Sequence, residues 1–479
     1  MTNRLVTAAN TTVLMTDGKV AAIGQRDVLH QEGLPENRHE TGFIVPPRHD
    51  HHFHPIGYAA AVTRLSVKDA RDFADLGKRI RDAAAGLGPG EALVGNRLDD
   101  ETLAERRLPT RLDLDRFLED RPVLLYRYCG HVAVANSAAL ALAGVVSESG
   151  ILRETNVQPV ANAVGASQPP LEPTAVRRAL AGLASLGLGK ITAIVSAGDP
   201  IWCEVPNEVE TLMAVAAEVP LDFEVLVIAS NPAELTAAAE RLDRGPSNVS
   251  FFGWKDFADG SLGGHTAALY EPFTDKPDTT GTLRLDHQHA VMMGRTCLDL
   301  GGTVAIHAIG DLANDRVLDV LEELIGAGGD HKRMRIEHAS VLRPDTIARM
   351  ARLGVTASVQ PAFITSEVDW LAKRLGDRAE STYALVRLAQ AGVPMLGGSD
   401  CPVESPNPWW GMSAAAGPGG LGNEKALGLF GAGLAVGDPA HLIVVDRDPL
   451  TTLDPAGTRV LAVYRHGDQI TAESELAFV

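Results

Sequence analysis

The chain has 479 residues, 45% of them hydrophobic and 22% charged, with a formal net charge of −18. That balance excludes a disordered chain, and the acidic excess argues against a nucleic-acid partner, because phosphate binding needs basic surface. The start Met1-Thr2-Asn3-Arg4-Leu5 lacks a basic-then-apolar signal pattern, no apolar run reaches membrane-spanning length, and Cys129, Cys203, Cys297 and Cys401 show no CxxC spacing. A cytoplasmic protein with no membrane partner is expected.

In chain order, the first elements are short strands: Leu5–Ala8, Thr12–Met15, an Asp17-Gly18 turn, then Val20–Ile23. The C-terminal end reads the same way, with Leu442–Val445, a turn-prone Asp446–Pro449 and Arg459–Tyr464. Neither end alone buries a core, so residues 1–47 and 433–479 are expected to pair as one small β-sandwich domain. Residues 48–432 alternate β-branched runs with amphipathic stretches, the pattern of a parallel sheet with crossover helices.

The expected strands are Phe43–Val45, Ile191–Ser196, Phe223–Ile228, Val249–Lys255, Thr303–His307, Met334–His338, Thr356–Gln360 and Pro394–Ser399. Eight is the number that closes a (β/α)8 TIM barrel, an α/β fold. Helices are expected at Asn207–Val219, Pro232–Leu242, His287–Leu300, Leu312–Ile325, Asp345–Leu353 and Ala379–Ala391. Residues 60–186 are too many for a simple crossover and read as an insertion between the first and second barrel strands.

The strongest local signal is Arg48-His49-Asp50-His51-His52-Phe53-His54. Residues two apart on an extended segment face one side, so His52 and His54 can offer two imidazoles to one ion. His49 and His51 form a competing pair, and a polar loop that binds metal adventitiously is the plainer alternative. His307, His338, Lys255 and Asp400 close other expected strands, on the face where TIM barrels carry their active sites. Singly, a strand-end histidine is more often structural and an aspartate there more often a helix cap.

Imidazole and carboxylate suit zinc and other divalent first-row ions. Lys255 does not fit that list when protonated; by chemistry alone an ordinary ion pair is preferred for it. Asp259 and Asp311 read as turn or capping residues. Trp254, Trp370, Trp409 and Trp410 are candidates for an apolar pocket wall, with the core as the commoner place for tryptophan.

Several motifs then match in order: Asp50-x-His52-x-His54, Gly130-His131 with Asn136-Ser137-Ala138-Ala139-Leu140, Lys255-x-x-x-Asp259-Gly260-Ser261-Leu262, His307-Ala308-Ile309-Gly310-Asp311, Glu337-His338-Ala339 and Gly398-Ser399-Asp400-x-Pro402. Over nearly its whole length the chain resembles the amidohydrolase superfamily, in particular the family 3 branch that includes N-substituted formamide deformylase. The resemblance implies one ion on His52, His54 and Asp400, a second on His307 and His338, and a carbamylated Lys255 bridging them. It implies hydrolysis of a C–N bond, in an amide, formamide or related small molecule, by metal-activated hydroxide. Asp400 would be the proton shuttle, and His131 a donor to the substrate carbonyl or a structural hydrogen-bonding residue.

A metal-dependent decarboxylase on the same scaffold and a non-catalytic binding member are the alternatives, and a homodimer is the default assembly. Two departures from the family pattern stand out: Pro46-Pro47-Arg48 replaces a Pro-Gly entry, and the glycine-rich stretch 417–437 looks contracted, which would loosen or remove the last barrel helix.

Overall fold

The computed structural model describes residues 3–30, 32–88, 90–128, 132–153, 156–167, 171–198, 207–431 and 433–470. Its centre is an eight-stranded parallel sheet in sequential order: β1 (Arg48–Phe53), β2 (Leu188–Ser196), β3 (Asp222–Ile228), β4 (Val249–Phe257), β5 (Thr303–Ala308), β6 (Met334–His338), β7 (Thr356–Val359) and β8 (Met395–Gly397). The sheet is a TIM barrel whose ends meet just beyond β8, where the Asp400 N–H donates to the His52 carbonyl at 2.8 Å and the His54 N–H to the Cys401 carbonyl at 2.9 Å. Gly398 permits that approach: a Cβ there would lie 2.6 Å from the His52 backbone nitrogen.

Strand alternation sorts each strand between two cores. Ile191, Ala193 and Val195 of β2 face outward into the large cluster shared with the helices, whereas Ile194 meets Leu226 and Ala305 in a small apolar plug inside the barrel. The helices Pro232–Asp243, His287–Asp299, Asp311–Gly326 and Pro344–Leu353 lie near their expected positions. Each puts an apolar stripe on the sheet, as with Val317, Leu318, Leu321 and Leu324.

Four expectations are corrected. Phe43–Val45 is not a barrel strand: it pairs antiparallel with Leu442–Val445, and the first barrel strand is the histidine cluster itself. Pro46 and Pro47 break the ladder between the two. Arg48 is buried at the entry, its guanidinium turned back onto the Pro46 carbonyl. Ala379–Ala391 is not one helix but a 3-10 turn, Gly376–Ser381, and a short helix, Leu385–Gln390, separated at Tyr383 by a left-handed backbone of φ 51°.

The helix expected at Asn207–Val219 stops at Met213 and is followed by a 3-10 turn, Ala216–Glu218. The last barrel helix is present, Pro408–Ala416, because Trp409, Met412 and Ala415 bury a continuous face in the core; Asn423–Gly428 follows it.

Two further units flank the barrel. Lys19–Gly24, Thr12–Thr16, Asn3–Ala8 and Glu36–His39 form one sheet, and Asp468–Ile470, Val460–Arg465, Leu442–Val445 and Phe43–Val45 another. They share a core of Val6, Val13, Met15, Ile44, Leu442, Val444 and Tyr464, so both chain ends build one β-sandwich. Between β1 and β2, a five-stranded sheet carries apolar clusters on both faces: Leu76, Ile80 and Leu114 on one, Leu140, Val160 and Val164 on the other. The excursion returns to the barrel before residue 186, since Pro173–Gly182 packs Val176 and Leu180 into the main core.

Candidate metal centre

The expected ligands converge at the C-terminal rim. His52 stands next to last in β1, in the barrel interior, and His54 follows where the strand turns into the helix Pro55–Thr63, with proline at its first position. Asp400, beyond β8, places Oδ1 at 3.1 Å from His52 Nε2 and 3.3 Å from His54 Nε2. One ligand atom from each of these three residues falls within 4.8 Å of the others.

His338 and His307 continue the cluster, with ring centroids 4.9 Å apart for His52 and His338 and 4.5 Å for His307 and His338. Lys255 is buried, its Nζ at 3.5 Å from the centre of the Phe257 ring. His131 lies outside the described residues.

Carboxylates behind the cluster set the direction of the imidazoles. Glu337 accepts from His52 Nδ1 on one oxygen and from the Arg335 guanidinium on the other, leaving His52 Nε2 to face the cavity. Arg335 also donates to the His51 carbonyl at 2.6 Å, tying β6 to β1. Asp50 Oδ1 takes the His52 and Ser399 backbone N–H groups at 3.1 and 3.0 Å, locking β1 to β8. Asp259 accepts three backbone N–H groups, from Ala268, Ile309 and Gly310, and stands 3.3 Å from His307 Nε2. This is the carboxylate–imidazole support that metal sites use to fix ligand orientation.

Sequence reasoning left Glu337, Arg335 and Asp50 without roles and gave Asp259 only a turn. The available signal was a carboxylate one residue before His338 and another four after Lys255.

The electrostatics fit a cation. Burial pushes the Asp400 carboxyl up, but the His52 and His54 imidazoles hold it well below the usual range. Burial pushes His338 well below the ordinary histidine value and Lys255 down to about 8, the latter against the pull of Glu337 and Asp400. His338 Nδ1 and Lys255 Nζ are buried with no hydrogen-bond partner among the described residues. Orphaned buried polar atoms are costly unless a ligand completes them, and here they adjoin the His52, His54, Asp400 cluster. His338 and Asp400 both hold left-handed backbone, φ 72° and 57°, a strain that concentrates at functional sites.

The cluster floors a cavity of about 170 Å³. Its walls combine apolar groups such as Leu262, Ile309 and Phe363 with Arg97, Glu367 and Tyr383. Trp254, Trp370, Trp409 and Trp410 do not line it. Trp254 and Trp409 are core residues that donate to the Ala229 and Leu186 carbonyls, Trp370 packs with Phe273, and Trp410 is partly exposed elsewhere.

Residues 42–417 match the model of the amidohydrolase family. The chain is 30% identical over 429 residues to YtcJ of Bacillus subtilis (strain 168), a protein named for the amidohydrolases, covering 84% of this chain and 79% of that one. It is 27% identical over 427 residues to LONG AFTER FAR-RED 3 of Arabidopsis thaliana, covering 82% and 72%. Among solved structures, a metal-dependent hydrolase from Pyrococcus horikoshii OT3 superposes with a TM-score of 0.75 at 26% identity, over 95% of this chain and 99% of that one. Among the described residues, no helix is long and apolar enough to cross a membrane.

Proposed function

The chain belongs to the amidohydrolase family and is a metal-dependent hydrolase, and from that premise we propose that it cleaves a C–N bond of an amide, formamide or related small molecule. The observation that carries the reading is the convergence of His52, His54 and Asp400 on one point, with the orphaned His338 Nδ1 and Lys255 Nζ nearby. His52, His54 and Asp400 would hold one divalent ion, His307 and His338 a second, and Lys255 would join the two as a carbamate, with zinc the first candidate. Such ions supply Lewis acidity, lowering the pKa of water and polarising a carbonyl.

The chain's own groups do the rest. Glu337 holds the proton of His52 on Nδ1, so that Nε2 keeps its lone pair toward the cavity. Asp400 receives the proton of the attacking water on a carboxylate oxygen and returns it to the departing amine. Its neighbours hold it ionised, the state needed to accept. Lys255, with its ammonium pushed down to about 8, has an accessible free amine at neutral pH; this attacks carbon dioxide and gives up a proton to form the carbamate. The apolar wall excludes bulk water and orients the acyl group.

Metal analysis of purified protein should find one or two divalent ions per chain, and His307→Ala and Lys255→Ala should each lower that content. Full retention in both variants overturns the ligand assignment. A screen of N-formyl and N-acyl amines in ¹⁸O-labelled water should place solvent oxygen in the acid product. Release of carbon dioxide from a carboxylated substrate without oxygen incorporation would replace hydrolysis by decarboxylation.

A further inference from the structure

A second chemical feature of the cavity is a carboxyl that the ligand cluster does not use. Glu367 sits between two short helices, Phe363–Ser366 and Val368–Leu375, in the long connection after β7, and it is only 8% exposed. It lines the same cavity as His338 and Asp400. One carboxyl oxygen, Oε2, accepts from the Tyr383 hydroxyl, and among the described residues this is the side chain's one hydrogen-bond partner.

The nearby guanidiniums are paired with other carboxylates, Arg374 with Asp275 and Glu101 and Arg127 through Nε with Asp100 at 2.7 Å, and from there they only pull the Glu367 carboxyl down at a distance. Burial pushes the Glu367 carboxyl up to about 8, against the pull of the Tyr383 hydroxyl, with a further push from Glu404. The protein thus leaves the charged form of this group incompletely satisfied.

Its position is nonetheless built. Tyr383 takes left-handed backbone and donates its N–H to the Ser340 carbonyl at 2.9 Å, two residues beyond His338. Its ring stacks at 6.2 Å on Phe363, another wall residue. The connection after β7 is therefore pinned to the connection after β6, and the pinning holds one carboxyl oxygen while leaving the other for a ligand. A buried carboxyl with one acceptor site open and, among the described residues, no ion-pair partner complements a cation that carries N–H donors.

We propose that Glu367, oriented by Tyr383, is the specificity-determining carboxyl of this pocket and receives an ammonium group of the substrate at a position away from the bond that is cleaved. That this ligand is a substrate rests on the hydrolase reading above; that the pocket takes an alkylammonium does not. Tyr383 is a positioning residue in this arrangement.

Calorimetric titration with n-hexylamine, protonated at pH 7, and with uncharged hexan-1-ol decides the matter on the metal-loaded protein. Wild type should bind the amine at least about tenfold tighter than the alcohol, about 1.4 kcal/mol. Glu367→Gln should abolish the preference while leaving alcohol affinity within about twofold, and Tyr383→Phe should reduce it. Equal binding by wild type, absence of amine binding, or a preference that survives in Glu367→Gln overturns the proposal, with thermal unfolding as the check that each variant is folded.

In a parallel assay, N-formyl-1,6-diaminohexane should be hydrolysed with a higher kcat/KM than N-formylheptylamine, and Glu367→Gln should level the two. Hydrolysis of neither, with amine binding intact, would sink the reading of N-formyl amines as the substrates and leave the ammonium site standing.

Discussion

The two ends of the barrel interior are built from the same strands and are both polar, yet they are finished differently. Toward the N-terminal end, Lys190 of β2 pairs with Glu224 of β3, and His49 of β1 bonds Thr192 at 3.0 Å with Glu224 at 3.8 Å. Those groups satisfy one another. Toward the C-terminal end, beyond the plug of Ile194, Leu226 and Ala305, the polar groups converge but leave His338 Nδ1 and Lys255 Nζ without partners among the described residues. A closed network stabilises a fold, whereas an open one in a cavity is a site waiting for a ligand. The histidine cluster shows the contrast within six residues of one strand: His49 serves the closed end and His52 the open one.

If that contrast is right, Asp400→Asn gives the largest effect, a loss of about 10³-fold or more in kcat with little change in Tm, measured by steady-state kinetics and thermal unfolding. Arg335→Met comes next. It strands the buried Glu337 and should cost about 3–5 kcal/mol in denaturant unfolding, because breaking a buried pair leaves an uncompensated charge. Ile194→Ala, in the plug between the two ends, should cost about 2–4 kcal/mol through the cavity it opens, while metal content is retained.

A smaller effect is pH-dependent. The folded Glu367 carboxyl lies at about 8, above its ordinary 4.5, so the stability tied to its proton is complete below pH 4.5 and is lost as pH rises through 8. Glu367→Gln, which does not titrate, should therefore gain in Tm relative to wild type between pH 5 and 9. The smallest effect is expected at the closed end. Lys190 is 38% exposed, so Lys190→Ala should cost under about 1 kcal/mol and leave kcat unchanged. A large activity loss there would erase the distinction between the ends.

What the sequence determined by itself was whatever local pattern and residue chemistry carry. The period-two runs and amphipathic stretches marked seven of the eight barrel strands and most helices, because burial on a sheet or a helix face imposes those periods directly. The strand-end histidines and Asp400 were legible for the same reason: strand direction in a parallel barrel sends every C-terminal end to one rim.

Tertiary structure decided the rest. Only the long-range pairing of Phe43–Val45 with Leu442–Val445 removed that segment from the barrel, and only packing against the core kept the helix Pro408–Ala416 after an apparently contracted sequence. The support of His52 by Glu337, and the meeting of Glu367 with Tyr383, join residues 285 and 16 positions apart. No local period encodes such contacts, because they depend on where whole elements are set relative to one another, and it is there that ordinary buried carboxyls become parts of a site.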